Sequence, residues 1–236
     1  MLPPPELPPL LTGHPVTDGY DPSRVALEGG RAGHFGAGIL CWSDETAVAA
    51  AALVLEPEVP LRVAAQMAPL MLVAIGDALG AIGPPNFSYG VRWPLTVLAN
   101  GGVAGEVTLA RPEGARAEEV PAHIVVGFRI ALTLPDDLPG EPGEVAHLTA
   151  LHEEGCGDID RSALIGAVAR HFLSWLDAWH HEGFTPVARV LTSRLEPEAS
   201  VEGARLVRID DTGSAIAVEG QGERGIPLTK ALGIRT

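Results

Sequence analysis

Asn100 and Gly101 stand between two apolar-rich runs, residues 91–99 and 102–110. Both residues reach positive φ at low cost, and a two-residue hairpin turn demands positive φ at its central positions. The pair therefore predicts an antiparallel hairpin over residues 91–110. A chain built around such a hairpin must bury at least one face of a sheet. The rest of the sequence supplies partners for it. Residues 36–42 and 50–55 read as short buried strands and 123–134 as another. Over 60–80 the apolar positions Leu61, Ala64, Ala68, Met71, Ala74 and Leu79 recur mostly at three- or four-residue spacing, as in a helix. Pro69 lies inside that pattern and should kink or split it, because proline removes a backbone donor.

The clearest helix covers 161–180, with Leu164, Val168, Phe172, Trp175 and Trp179 on one stripe. Asp160 is placed to cap its start and Gly183 to close its end. Residues 111–120 and 135–158 read as loops rich in charge, Pro and Gly. Beyond residue 195 the character changes to a small β unit: 206–209, a turn at Asp210-Asp211-Thr212-Gly213, then 215–218. Strands and helices follow no regular βαβ rhythm, so the expected class is α+β, with units at 1–195 and 196–236.

Composition narrows the function classes. There are 16 Lys+Arg against 30 Asp+Glu, a net charge of −14, and the one lysine is Lys230. Binding nucleic acid or an anionic membrane surface needs clustered positive charge, so neither is expected as a partner. The most apolar stretch, 64–79, is interrupted by Gln66, Pro69, Gly76 and Asp77 and is short for a bilayer. Cys41 and Cys156 match no zinc spacing and no disulfide framework, which fits reduced thiols in a cytoplasmic protein. The Pro-rich opening lacks the basic and apolar regions of a signal peptide.

A run of motifs in a fixed order carries a resemblance. It comprises a strand ending in Trp42, then Leu53-Val54-Leu55-Glu56-Pro57, then Arg92-Trp93-Pro94 through Val103-Ala104-Gly105. Val125-Val126-Gly127-Phe128-Arg129-Ile130 and Asp160-Arg161 with the long helix follow. The chain resembles the biotin/lipoate protein ligase family. The resemblance implies a mixed sheet with helices and a small SH3-like β domain at the C-terminus. It also implies activation of biotin or lipoate with ATP, then transfer of the acyl group to a lysine of an acceptor domain. Family members carry an Asn-Asp pair after Trp-Pro, where this chain has Leu95 and Thr96. They carry a lysine just before the Ala-Gly step, and no lysine is near it here. Their Arg/Gly-rich adenylate loop falls on residues 43–49, which hold Asp44 and Glu45 and neither Arg nor Gly.

The resemblance assigns a candidate ligand pocket to Trp42, Arg92, Trp93, Pro94, Ala104, Gly105 and Gly127. Arg92 either meets an anionic head group or pairs with one of the many acids. Trp42 and Trp93 either wall the pocket or pack in the core. Gly29, Gly30, Arg31 and Gly33 form a rival phosphate loop, or else a plain turn before the strand. Neither cysteine falls at a defensible nucleophile position, and no metal site is expected. No cofactor motif stands out. Biotin, lipoate or ATP enters only through the resemblance. A small carboxylic acid or acyl group, a protein partner and a homodimer are the partners that fit. Three functions follow: a pocket kept without adenylation, a working ligase or acyltransferase using Arg92 and Arg31, or a scaffold that binds a partner.

Overall fold

The computed structural model describes residues 3–135, 147–220 and 222–235. It opens with two elements that the patterns above do not predict, β1 (Thr12–Val16) and α1 (Pro22–Arg31). Local chemistry starts α1 well. The Asp21 side chain accepts from the Ser23 N–H at 2.9 Å, and Pro22 occupies the first helical position, where no donor is needed. Gly29 and Gly30 are poor helix formers. Their bare Cα atoms let neighbours close in: a Cβ on Gly29 would lie 2.1 Å from the Phe35 ring, and one on Gly30 2.9 Å from His123.

β2 (Ile39–Ser43) and β3 (Val48–Leu55) are the two short strands expected around Cys41 and Leu53. The helical pattern over 60–80 splits into α2 (Leu61–Ala64) and α3 (Met67–Ile82). The break lies at Ala65-Gln66, before Pro69 rather than at it. Pro69 therefore falls in the first turn of α3, where backbone donors have no intrahelical partner to lose. α2 and α3 together are long and apolar enough to cross a membrane, yet most of that stretch is buried inside the protein.

The predicted hairpin proves to be three strands: β4 (Tyr89–Arg92), β5 (Thr96–Ala99) and β6 (Gly102–Ala110). The Asn100-Gly101 turn is as expected, with φ of 46° and 90°. The chain also turns at Trp93-Pro94, a cis peptide. β7 (Ile124–Ala131) completes a seven-stranded sheet in the order β1-β2-β3-β7-β6-β5-β4. Only β1 and β2 run parallel.

α4 (Arg161–Glu182) begins at Asp160, whose carboxylate accepts from Ala163 N–H at 2.8 Å, and ends at Gly183 with φ 74°. α3 and α4 cover one face of the sheet, and α1 covers part of the other. β3 serves both layers. Ala49, Ala51 and Leu53 enter the main core, and Ala52 and Val54 meet α1. α5 (Thr185–Ser193) follows. Asp77 on α3 ties these helices together, accepting from Trp175 Nε1 at 2.7 Å and from the Arg194 guanidinium.

β8 (Ser200–Val201), β9 (Ala204–Ile209), β10 (Ala215–Glu219) and β11 (Gly222–Ile226) form the small antiparallel sheet expected at the C-terminus, closed by α6 (Leu228–Ala231). Its turn is held by Asp210, whose Oδ1 accepts from the N–H groups of Thr212 and Ser214, both at 2.9 Å. Leu206, Ile209, Ala215, Ala217 and Ile226 belong to the same apolar core as α3 and α4. The class is α+β, as the sequence implies. Part of the loop read over 135–158 falls on 136–146, outside the described residues.

Candidate functional site

The α1 face of the large sheet is only partly covered. Thr108 and Gly127 are cross-strand partners in β6 and β7, and the first turn of α1 sits over them, with Ser23 Oγ 3.1 Å from Thr108 Oγ1. Two residues further along, Glu106 and Arg129 are partners on the same face, and both are exposed. There a cleft of about 560 Å³ opens. One wall is the connection from β2 to β3, with Glu45, Ala47 and Val48. Another is the start of β6, with Val103, Ala104 and Gly105. Leu148 and Thr149 close a third side, held by a hydrogen bond from Thr149 N–H to the Val103 carbonyl at 2.9 Å.

The β6 wall is shaped by a bulge. Val97 of β5 pairs with Gly105 and Leu98 pairs with Val103, so Ala104 is an extra residue. Gly105 then runs very close to β7. A Cβ there would lie 2.2 Å from the Arg129 carbonyl oxygen, so the missing side chain serves the backbone of β7.

The charge inside is sparse and mixed. Among the described residues, Glu45, Glu106 and Arg129 are the charged ones lining the cleft. Arg129 Nη2 lies 3.9 Å from Glu45 Oε2, and both side chains are well exposed, so the pair is loose and screened by water. The Arg129 guanidinium is therefore free to exchange Glu45 for another carboxylate. The remaining lining is mainly apolar.

Of the residues assigned to a pocket from the sequence, Ala104 and Gly105 line this cleft and the others do not. Trp42 is buried on the opposite, helix-covered face, with the Arg161 guanidinium 4.9 Å above its ring. Arg92 meets the Glu196 carboxylate through Nε at 2.7 Å and Nη2 at 2.9 Å, so it clamps the start of the C-terminal unit. Its hydrogen bond to Glu196 raises its pKa further. Trp93 packs on the main core and points its Nε1 at the Gly213 carbonyl, 3.4 Å away, and Pro94 makes the turn beside it. Gly127 faces Ser23: a Cβ would come within 2.4 Å of the Ser23 Oγ.

Gly29, Gly30 and Arg31 are the last turn of α1, with Gly33 just beyond it at φ 71°. The phosphate-loop reading fails on that geometry, because a helix C-terminus presents carbonyl oxygens and the negative end of the dipole. Burial pushes the Cys41 thiol up to about 12, and burial followed by Glu154 raises Cys156, so neither is an activated nucleophile. Among the described residues no three His, Cys, Asp or Glu side chains cluster as a metal site.

Sequence reasoning passed over Arg129 and Arg161. A charge in the otherwise apolar strand of β7 is the signal for the first, since it marks a spot where the sheet face is not covered. Arg161 is 2% exposed and has no carboxylate partner among the described residues. It donates to the carbonyls of Ser43 at 3.2 Å and Pro3 at 3.3 Å. Nothing in the local pattern announces it.

The sequence profile of the biotin/lipoate A/B protein ligase family matches residues 7–193. The chain belongs to that family. A biotin--[acetyl-CoA-carboxylase] ligase of Paracoccus denitrificans is 29% identical over 191 residues, covering 77% of this chain and 78% of the relative. The crystal structure of a biotin protein ligase-like protein of unknown function from Silicibacter sp. TM1040 superposes with a TM-score of 0.86 at 29% identity, covering 96% of this chain and 98% of that one. Biotin protein ligase from Aquifex aeolicus has the same fold, with a TM-score of 0.70 at 17% identity over 92% of this chain and 96% of that one. In this family member the three places that the resemblance marks as altered all reach the cleft: Thr96 of the Leu95-Thr96 pair, Val103 before the Ala104-Gly105 step, and Glu45, Ala47 and Val48 of the segment to which the resemblance assigns the adenylate loop.

Proposed function

We propose that this protein is a biotin/lipoate ligase-family member that binds a small carboxylic acid or acyl group in the cleft and does not form an acyl-adenylate by the family's usual route. The observation that carries the reading is the cleft's charge. Adenylation builds negative charge on the α-phosphate and the acyl oxygen, and a site that accelerates it aims several fixed cations at those atoms. Here Glu45 and Glu106 flank Arg129, which leaves the charged lining one unit negative among the described residues. A single carboxylate fits beside Arg129. A triphosphate does not. The largely apolar remainder, with Val48, Val103, Ala104 and Leu148, suits an aliphatic body. Two buried, unactivated thiols accord with a cytoplasmic protein.

Removing one preorganised donor of developing charge typically costs about 10²–10³ in rate, and two such features are altered here. ATP–pyrophosphate exchange with biotin or lipoate is therefore expected to stay at background. Thermal shift with biotin, lipoate and octanoate is expected to find a stabilising ligand, and Arg129→Ala to abolish the shift. Exchange at rates ordinary for the family would instead favour the active-ligase reading, which the name of the Paracoccus relative supports. That reading cannot use Arg92 and Arg31 as substitutes, since both lie away from the cleft. No shift with any acid and no exchange would leave the scaffold reading.

A further inference from the structure

A second groove lies between α1 and the segment that follows β6. Two adjoining cavities of about 570 Å³ each share Leu27, Arg111, Pro112 and Glu113. The first adds Arg235, and the second adds Arg24, Glu28, Arg31 and His123. The groove thus gathers Arg24, Arg31, Arg111 and Arg235 against Glu28 and Glu113, in a chain whose net charge is −14. Arg24 is paired with Glu28 at 3.0 Å. Arg31, Arg111 and Arg235 have no carboxylate within ion-pair distance among the described residues.

That is an unusual local choice where acids outnumber bases almost two to one. Three guanidinium groups on one groove repel each other, and the repulsion is relieved when an anion lies between them. The fold sets the Arg111 guanidinium in place, its Nη2 donating to the Gly233 carbonyl at 2.8 Å. It also anchors the backbone of Arg235, whose carbonyl accepts from Ala117 N–H at 2.8 Å. On the inner wall, His123 is 9% exposed and its Nε2 is buried with no hydrogen-bond partner among the described residues. The guanidinium fork matches a phosphate oxygen pair. Leu27, Pro112 and Ala115 give the groove an apolar floor for the rest of a ligand.

We propose that this groove binds a phosphorylated small molecule, with its phosphate oxygens on Arg31 and Arg111 and its organic part over Leu27 and Pro112. The inference stands on residues that the cleft does not share, so the two readings can fail separately. Calorimetric titration of the full chain at low salt with pyrophosphate and with ADP tests it. Binding is expected, weakening as salt rises, with Arg31→Ala/Arg111→Ala reducing affinity by about tenfold or more. The same double variant should keep its thermal response to carboxylic acids. The Arg31 side chain makes no hydrogen bond among the described residues that its loss would cost, so Arg31→Ala alone, at about a fivefold loss or more, decides the matter should the double variant fold poorly. Tighter binding of ADP than of pyrophosphate assigns the ligand an organic part, and equal binding assigns a bare phosphate chain. Absence of binding by either probe below about 1 mM, or equal affinity for the wild type and Arg31→Ala, overturns the proposal.

Discussion

Gly127→Ala is a direct probe of what the glycine in β7 is for. The resemblance made it a ligand contact, and the structure places it under α1. The added Cβ would lie 2.4 Å from Ser23 Oγ, 2.9 Å from Thr108 Oγ1 and 3.2 Å from the Ala51 carbonyl oxygen. Ser23 can escape by rotating, but the rotation gives up its 3.1 Å hydrogen bond to Thr108. That loss is worth about 1 kcal/mol. The residual crowding against Thr108 and Ala51 adds the cost of overpacking, about 1–3 kcal/mol. A total of roughly 2–4 kcal/mol lowers Tm by about 4–16 °C for a chain of this size. Chemical denaturation of four proteins measures it: wild type, Gly127→Ala, Ser23→Ala and the double variant. Ser23→Ala alone should cost about 1 kcal/mol. In the double variant the nearest obstacle is gone, so its destabilisation should fall clearly short of the sum of the singles. Additive losses would refute the argument that Ser23 and Gly127 share one contact. A Gly127→Ala protein of unchanged stability that no longer binds carboxylic acids would return Gly127 to the ligand site.

Asp77→Ala removes the acceptor shared by Trp175 and Arg194, both largely buried, and is expected to cost roughly 2–3 kcal/mol by denaturant titration; a change under about 0.5 kcal/mol would mean that water replaces the carboxylate without loss. Glu202 is exposed, and its hydrogen bond to Lys230 lowers its pKa below the ordinary 4.5. A depressed folded-state pKa stabilises above the ordinary value and ceases to do so as pH falls through the lowered one. The small Tm difference between wild type and Glu202→Gln should accordingly be present at pH 6 and vanish in acid, and a difference that grows on acidification would contradict the sign. We propose residues 1–195 as a unit that folds alone and 196–236 as one docked on it. A 1–195 fragment is expected to keep cooperative unfolding at a lower Tm, since the cut bares core residues such as Phe184 and Leu191; a fragment with no thermal transition would remove the boundary.

Local signals in the sequence were those whose partners lie within a few residues. Asn100-Gly101 makes its turn, Asp160 caps α4, and Asp210 holds its own turn, because each motif closes on itself. α1 escaped notice because two adjacent glycines look like a break. Phe35, six residues beyond Gly29, and the distant His123 beside Gly30 explain why bare backbone is needed there. Arg92 shows the same limit for the site. It was the family-position cation, and its actual partner, Glu196, lies 104 residues away in a chain with many acids to choose from. Ala104 and Gly105, which the resemblance assigns to a pocket, line the cleft because the hairpin dictates their place. Arg129 reads from the sequence as one residue of a strand, since whether a strand face is covered depends on where α1 stops.

The Arg161 guanidinium joins three stretches of chain: Pro3 near the start, Ser43 at the end of β2, and its own helix. The Ser162 hydroxyl also donates to the Pro3 carbonyl, and Gly166 leaves room for the backbone at Glu6. The contact from Arg161 to Pro3 closes a loop of 158 residues. Such a closure is entropically dear until the intervening elements have condensed, so the opening strap settles late in folding. Ser43 is the root of the connection that walls the cleft. One wall of the cleft is thus rooted in a contact that reaches from α4 through Ser43 to Pro3. Loss of the Arg161 guanidinium would loosen that wall while leaving the sheet itself intact.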